Sequence, residues 1–379
     1  MIGSQGTFWR VHAGHSLPGP ASTAKPRLAL VPGRMRRPGV VMTVGLLLVL
    51  AVAGVAYGVH RATAQPRVIA LPLRTVARVP LPGSTSRFDY ASIDPGAQRL
   101  FLAHLGDSEL LTVDTTNNRV VRRTPGLADV HGVLVVPALR RVYATATGTN
   151  ELVALDEATG AELWRAPTGA YPDGIAYAPT TGQLWVSNET GDSETVVDAG
   201  TGRVVGTVPL GGEAGNVAFE PAGGGSGAVL VDVQSKNQLL TIDPASRTVL
   251  RRTALPGCDH DHGLAVLPTR RLAFVACDGN AALLVLDLTD DTVTQHLQVG
   301  RDPDVLAVDP VRAVLLVSAE SGFVSVVGAG SRPVRLLGRG PLADGAHVVA
   351  VDPGTGQAYW PLADVDGHPE LLVTTTRAQ

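Results

Sequence analysis

The sequence contains none of the short motifs that carry several common chemistries. It has no phosphate-binding P-loop, no HExxH zinc motif, no nucleophile elbow and no CxxCH haem-attachment sequence. It has only two cysteines, Cys258 and Cys277, and lysine is almost absent, so arginine carries nearly all of the positive charge. The function therefore has to be inferred from the organisation of the chain rather than from a catalytic signature.

Acidic residues are also absent from the N-terminal region, where none precedes Asp89. Residues 1–64 hold seven of the 31 lysines and arginines, which leaves 24 basic against 34 acidic residues in the rest of the chain. The remaining chain thus has a formal balance of −10. An acidic surface argues against nucleic acid as a partner and against docking on anionic lipid.

One long uncharged run, residues 39–59, predicts a membrane segment. Its 21 residues, at about 1.5 Å each, are long enough to cross a bilayer core of roughly 30 Å as a helix. We interpret this run as an uncleaved single-pass anchor, preceded by a disordered basic tail (1–38) and followed by a linker (60–66). The alternative is a signal sequence cleaved near Ala64, with secretion of the chain. Either interpretation predicts that the remaining chain lies outside the cytoplasm.

A proline recurs through the rest of the chain at spacings of 42, 42, 42, 47, 42 and 43 residues. These prolines are Pro95, Pro137, Pro179, Pro221, Pro268, Pro310 and Pro353. Each repeat contains four short apolar, β-rich runs separated by turn residues, which is typical of a β-propeller with one repeat per blade. The sequence therefore predicts an all-β fold, a seven-bladed propeller over residues 67–379. Recurring aromatic residues in the second strands, such as Trp185, are assigned to the core between blades.

The two ends of the repeat region predict how the ring closes. Residues 67–83 resemble the last strand of a repeat with no earlier strands before it, whereas the seventh repeat provides only three strands before residue 379. We expect the N-terminal strand to complete the seventh blade, because closure removes an unpaired sheet edge.

The phrases PDGIAYAPTTGQLWVSN and DPDVLAVDPVRAVLLVSAESGFVSVV resemble the YVTN/YncE-like seven-bladed propellers of bacteria. The resemblance covers essentially residues 67–379 and implies an extracytoplasmic binding or scaffold module whose ligand is uncertain. The chain lacks the paired GH and WD signatures of the WD40 class. With four tryptophans and seven repeats, it also differs from an eight-bladed quinoprotein dehydrogenase.

Aspartate or histidine stands six positions before six of the seven prolines, and glycine before the other, at the predicted start of the innermost strands. In blade order they are Asp89, His131, Asp173, Gly215, His262, Asp304 and His347. Equivalent positions in a propeller form a ring around one mouth of the central channel, and the turns between second and third strands should add further side chains. Those are Glu189, Asp278 and Glu320, with His104 nearby.

This ring predicts a metal or polar-ligand site, with one divalent metal ion as the candidate cofactor. Imidazole and carboxylate groups are natural ligands for such ions, and His131, His262 and His347 are the preferred candidates. The alternative is purely structural: the aspartates make Asx turns and the histidines hydrogen-bond the loop backbone.

The two cysteines flank the first hairpin of blade five, and an even cysteine count outside the cytoplasm favours a disulfide between Cys258 and Cys277. A competing metal site would use Cys258, His260 and His262. Residues four apart in a strand are about 13 Å apart, which weighs against that version. His260 is alternatively a solvated loop residue.

Two functions remain open from the sequence. The favoured one is a membrane-anchored module that binds a small ligand or an extracytoplasmic protein partner through this face, without catalysis. The other is a metal-dependent enzyme, such as a lyase, lactonase or hydrolase, that uses the same ring.

Overall fold

Among the residues that the structure describes, the strands pair only with antiparallel neighbours and form seven sheets of four strands. The structure is a computed structural model that describes residues 65–221 and 227–376. The predicted tail and membrane segment lie outside these residues, as does most of the linker. Within the described ranges, no helix is long and apolar enough to cross a membrane.

Strand β1 (Leu73–Pro80) precedes the first complete blade. Blade one consists of β2 (Ala91–Asp94), β3 (Arg99–His104), β4 (Glu109–Asp114) and β5 (Arg119–Pro125). Blade two consists of β6 (Val130–Val136), β7 (Arg141–Ala146), β8 (Glu151–Asp156) and β9 (Glu162–Pro167). Blade three consists of β10 (Pro172–Ala178), β11 (Gln183–Asn188), β12 (Ser193–Asp198) and β13 (Val204–Pro209).

Blade four consists of β14 (Ala214–Glu220), β15 (Ala228–Val233), β16 (Gln238–Asp243) and β17 (Thr248–Ala254). Blade five consists of β18 (Asp261–Leu267), β19 (Leu272–Cys277), β20 (Ala282–Asp287) and β21 (Thr292–Gln298). Blade six consists of β22 (Pro303–Asp309), β23 (Val314–Ala319), β24 (Phe323–Gly328) and β25 (Arg335–Pro341). Blade seven consists of β26 (Ala350–Asp352), β27 (Gln357–Val365) and β28 (His368–Thr376) together with β1.

Helical structure in the described residues is limited to single 3₁₀ turns. They are Leu105–Asp107, Pro137–Leu139, Thr147–Thr149, Gln234–Lys236, Pro268–Arg270 and Asp278–Asn280. The innermost strands of successive blades contact one another in a closed circle, with β26 of blade seven against β2 of blade one. The predicted seven-bladed propeller is therefore confirmed.

Local sequence explains both the turns and the core. At the turn between the third and fourth strands of blade three, Asp198 Oδ1 accepts the Thr201 backbone N–H at 2.8 Å and its hydroxyl at 2.7 Å, an Asx turn that reverses the chain. The second and third strands are nearly continuous apolar runs because blades cover both of their faces. Trp185, fully buried, packs in one cluster with Val231 and Leu240 of the next blade, as predicted for the recurring aromatic residues.

The ring closes as the sequence predicts, but the closing segment has two parts. Strand β1 pairs with β28 from Leu73 opposite Thr376 to Pro80 opposite Glu370, and so completes blade seven. The residues before it lie against the outer strand of blade six instead, where Ile69 and Arg339 exchange two backbone hydrogen bonds of 2.6 and 2.8 Å. One N-terminal segment thus fastens two neighbouring blades.

Glycine allows adjacent inner strands to approach closely near the channel. A Cβ atom added to Gly132 of β6 would lie 2.1 Å from the Asp173 carbonyl oxygen of β10. The same oxygen accepts a 3.0 Å hydrogen bond from the Thr145 hydroxyl, whose oxygen in turn accepts the Gly132 N–H at 2.7 Å. Blades two and three are therefore joined where a side chain has no room.

We expect Gly132→Ala to lower the free energy of unfolding by about 1–3 kcal/mol, the usual range for overpacking, because backbone rather than a flexible side chain opposes the new methyl group. Urea unfolding of the full chain measures this. Gly330→Ala is the matched control, since Gly330 is exposed and a Cβ there meets only the Ala313 methyl at 3.9 Å. Equal stability of the two variants would contradict the packing argument.

A buried carboxyl makes the stability of the fold depend on pH. Glu194 of β12 is fully buried and accepts one hydrogen bond, from the Ser187 hydroxyl at 2.8 Å. Burial raises the pKa of Glu194 to about 8. Since the folded state holds this proton at a pH where the unfolded chain has lost it, the stabilising effect is complete below about pH 4.5 and is lost as the pH rises towards 8.

We therefore expect unfolding free energy to decrease between pH 5.5 and 7.5, and Glu194→Gln to remove a slope of up to about 1.4 kcal/mol per pH unit. Urea unfolding across this range is the measurement. Glu162→Gln, at an exposed position of β9, is the control and should leave the slope unchanged. A Glu194→Gln variant with the wild-type slope would show that this carboxyl is not protonated in the folded state.

Candidate functional site

The ring positions lie in or just before irregular starts of the inner strands. In blades two to six the register of the inner strand shifts at the ring residue, for example between Val130 and Val133 around His131 and between Pro172 and Ile175 around Asp173. A bulge interrupts the pairing and redirects side chains. This geometry aims the ring residues at the channel mouth.

A cavity of about 670 Å³ occupies this mouth. Of the predicted inner ring, the residues that line it are Asp89, His131, Asp173, His262 and Asp304. Of the predicted turn residues and their neighbours, those that line it are Glu189, His260, Asp278 and Glu320. The structure thus brings most of the predicted candidates together around one space.

Two candidates are elsewhere. His104 was expected on the channel face, but it is fully buried outside the cavity and stacks on Phe88 with ring centroids 4.1 Å apart. His347 belongs to the ring but does not line the cavity, since its Nε2 lies 3.0 Å from the Phe88 carbonyl oxygen and its Nδ1 3.0 Å from that of Gly345. His347 therefore connects blade seven to blade one.

His131, His262 and His347, the preferred metal-ligand candidates, do not come together in one group of potential ligands among the described residues. Two groups of three potential ligands lie within 4.8 Å among the described residues, and neither contains more than one of these histidines. One group is Asp89, Asp304 and His347. His131 instead has its Nδ1 2.8 Å from the Asp129 carbonyl oxygen and its Nε2 3.1 Å from the Tyr171 hydroxyl. His131 and His347 thus both lie at hydrogen-bond distance from backbone carbonyl oxygens of loops, which is the structural alternative.

A second set of cavity residues, two positions before the ring residues, is not identified by the sequence analysis except for His260. Its members that line the cavity are Arg87, Asp129, Tyr171, His260 and Asp302. The last four have positive φ angles between 45° and 63°, a conformation that is uncommon for residues other than glycine. Polar residues recur at most of the positions two before the ring residues, and this recurrence is the signal in the sequence that could have identified them.

Arg87 links three carboxylates at the cavity wall. Its guanidinium lies 3.1 Å from Asp89 Oδ1 and 3.6 Å from Asp304 Oδ2, and it pairs with Glu320 through its other terminal nitrogen. Burial lowers the pKa of Arg87, but these three carboxylates outweigh that effect and raise it. A fixed positive charge therefore already stands beside Asp89 and Asp304.

His262 and Asp304 form a mostly buried ion pair, with 3.5 Å between Nε2 and Oδ1, while Nδ1 lies 3.1 Å from Gln234 Oε1. Burial opposes the charge on each partner, but their mutual interaction outweighs it. The pKa of His262 is raised to about 10 and that of Asp304 is lowered. For Asp173, burial and then the charge of Asp89 outweigh the attraction of His262 and raise the pKa well above the ordinary value.

The cavity has a floor. The Tyr90 hydroxyl donates a 2.9 Å hydrogen bond to Asn216 Oδ1, which connects blade one to blade four across the channel. Tyr90 lines both the mouth and a second cavity of about 310 Å³, which lies farther along the inner strands. Asn216 directly follows Gly215, the ring position without a side chain, and thus helps to close the channel.

The predicted disulfide is present. Cys258 and Cys277 are bonded, with 5.4 Å between their Cα atoms, so Cys258 is not available to a metal site with His260 and His262. His260 lies at the rim, where its Nδ1 is 3.0 Å from Asp278 Oδ1. The bridge fastens the start of blade five to the end of its second strand, at the level of the cavity.

Comparisons with known proteins establish the fold class. No protein-family model matches the chain, and a search of curated proteins found no match. A chain of hydrazine synthase from Kuenenia stuttgartiensis is similar in structure, with a TM-score of 0.63 and 16% sequence identity over 74% of this chain and 92% of that one. This similarity shows a propeller fold and nothing about activity, and the YVTN/YncE resemblance stays a prediction.

The ion pair gives a direct test of the site electrostatics. We expect Asp304→Asn to lower the pKa of His262 from about 10 towards the ordinary value of about 6.5, because the main interaction that stabilises the imidazolium is removed. NMR of histidine-labelled full-length protein between pH 5 and 9 follows this titration. Asp290→Asn, in a turn on the opposite face, is the control and should leave His262 protonated throughout. Unchanged titration in Asp304→Asn would contradict the assignment.

Proposed function

We propose that this chain is a non-catalytic binding module whose channel mouth takes a small organic cation, such as an aliphatic diamine or polyamine. The observation that carries the proposal is a buried carboxylate oxygen at the cavity, Asp173 Oδ1, that has no hydrogen-bond partner among the described residues. An ammonium group offers three N–H donors and a positive charge, which are what such atoms lack.

The charge of the cavity supports the same class of ligand. Eight carboxyl groups line it, against the guanidinium of Arg87 and three imidazoles. The carboxyl residues are Asp89, Asp129, Asp173, Glu189, Asp278, Asp302, Asp304 and Glu320. Tyr171 adds an aromatic ring at the rim, a group that attracts cations through its face. Charge complementarity of this kind also speeds the encounter with a cationic ligand.

The alternative, a metal-dependent enzyme acting through the same ring, has less support. Arg87 lies 3.1 Å from Asp89 and 3.6 Å from Asp304, so its guanidinium contacts two of the three potential metal ligands Asp89, Asp304 and His347. Both ring nitrogens of His347, the third member of that group, lie at hydrogen-bond distance from carbonyl oxygens.

The proposal includes the predicted location. A membrane anchor at residues 39–59 would hold the propeller outside the cytoplasm, where a ligand reaches the mouth from the surroundings. The Cys258–Cys277 disulfide supports an oxidising compartment. Signal cleavage near Ala64 would release the same module, and a protein partner presenting lysine or arginine side chains could use the same carboxylates.

We expect putrescine or spermidine to bind the purified full-length protein in isothermal titration calorimetry. Succinate and 1,4-butanediol, which have the same four-carbon chain as putrescine, should not bind. Asp173→Asn should weaken amine binding at least tenfold, equivalent to about 1.4 kcal/mol, because it removes a buried carboxylate without changing side-chain size. Asp290→Asn is the matched control.

The pH dependence of binding provides a second criterion in the same experiment. Burial and then the charge of Asp89 raise the pKa of Asp173 well above its ordinary value, so an ammonium ligand displaces the proton of Asp173, and affinity should increase as the pH rises from 6 to 8.5. Proton release appears as a dependence of the heat on the buffer used. Preferential binding of succinate, or amine binding unaffected by Asp173→Asn, would refute the proposal.

A further inference from the structure

A second group of potential metal ligands lies outside the channel mouth, at the turn between β3 and β4. It consists of His104, Asp107 and Glu109, and one ligand atom from each lies within 4.8 Å of the others. His104 is fully buried, Glu109 is nearly so and Asp107 reaches partial exposure. None of the three lines the 670 Å³ cavity, so this cluster is separate from the proposed ligand site.

The Nδ1 atom of His104 has no hydrogen-bond partner although it is completely buried. It lies 3.6 Å from Asp107 Oδ2 and 3.6 Å from Glu109 Oε1. These separations exceed the 2.7–3.2 Å of an ordinary N–H···O hydrogen bond. The imidazole nitrogen and one oxygen of each carboxylate therefore lie near one another at separations longer than hydrogen bonds.

The surrounding residues hold these ligands in place. The Ser86 hydroxyl lies 3.1 Å from His104 Nε2, and Phe88 stacks on the imidazole ring. Arg123 binds Glu109 through three hydrogen bonds of 2.8–3.1 Å, while the Ser84 backbone N–H donates to Asp107 Oδ2 at 2.9 Å. A partner on the second ring nitrogen and hydrogen-bonded carboxylates are the supporting arrangement found around protein metal ligands.

We propose that His104, Asp107 and Glu109 bind one zinc ion, through His104 Nδ1 and one oxygen from each carboxylate. Zinc–nitrogen and zinc–oxygen bonds of the usual lengths, at tetrahedral angles, separate ligand atoms by about 3.4 Å, close to the observed 3.6 Å. One nitrogen and two oxygens leave a fourth position for water. The site would fasten the β3–β4 turn of blade one.

The test uses full-length protein stripped of metal with a chelator and titrated with Co²⁺, whose visible absorption reports tetrahedral coordination. We expect one equivalent to bind, Zn²⁺ to displace it, and one zinc to remain after desalting. Asp107→Asn and Glu109→Gln should each weaken binding at least tenfold. These conservative variants carry the test because replacing the buried His104 risks unfolding, and circular dichroism confirms their fold.

Asp304→Asn distinguishes this site from the mouth, where Asp89, Asp304 and His347 also lie within 4.8 Å of one another. The proposal expects Asp304→Asn to bind zinc like the wild type. It is overturned if the wild type binds no metal, if folded Asp107→Asn and Glu109→Gln bind as tightly as the wild type, or if Asp304→Asn alone abolishes binding. None of these results bears on amine binding, so the two proposals fail independently.

Discussion

Closure of the ring by antiparallel pairing of β1 with β28 is the constraint on which the rest of the structure depends. Strand β1 is separated from β28 by nearly the whole repeat region, so this pairing fixes the distance between the first and last blades. The inner strands can then form a continuous circle, with His347 of blade seven bonded to the Phe88 carbonyl of blade one. Without closure, the inner strands would not form a ring, and residues from different blades would not line one cavity.

Convergence also requires that neighbouring inner strands approach closely and that their first residues turn inwards. The glycine after a ring residue allows the close approach of the strands. A Cβ at Gly132 would meet the Asp173 carbonyl oxygen, and one at Gly263 would meet the Asp304 carbonyl oxygen at 2.2 Å. The register shift at the same place turns the first residues of the strands inwards. Packing at the centre and the geometry of the mouth are thus two results of one local sequence pattern.

The sequence predicts the features that repeat from blade to blade, namely the strands and the ring positions. It does not predict the features that depend on contacts between particular side chains. Second strands such as Gln183–Asn188 are among the apolar, β-rich runs that the sequence predicts, because their apolar pattern and flanking turns repeat in every blade. The ring positions follow from the same period. In contrast, the burial of His104 depends on Phe88 stacking over it, and Arg87 bridges acids from two blades, neither of which a repeat reveals. The hydrogen bond from Tyr90 to Asn216 across the channel likewise cannot be predicted from the repeat.

Two aspartates at equivalent ring positions show how neighbours, rather than residue type, set the chemistry of the mouth. His262 and Arg87 lie beside Asp304 and its pKa is lowered despite burial, whereas burial and then the charge of Asp89 raise the pKa of Asp173. The blades therefore share one backbone arrangement, but the charges beside equivalent ring positions differ. The side near Asp304 is already neutralised by protein cations, and the side near Asp173 carries its negative charge only when something replaces its proton. The amine-binding proposal therefore places the ligand cation beside Asp173 rather than on the axis of the ring.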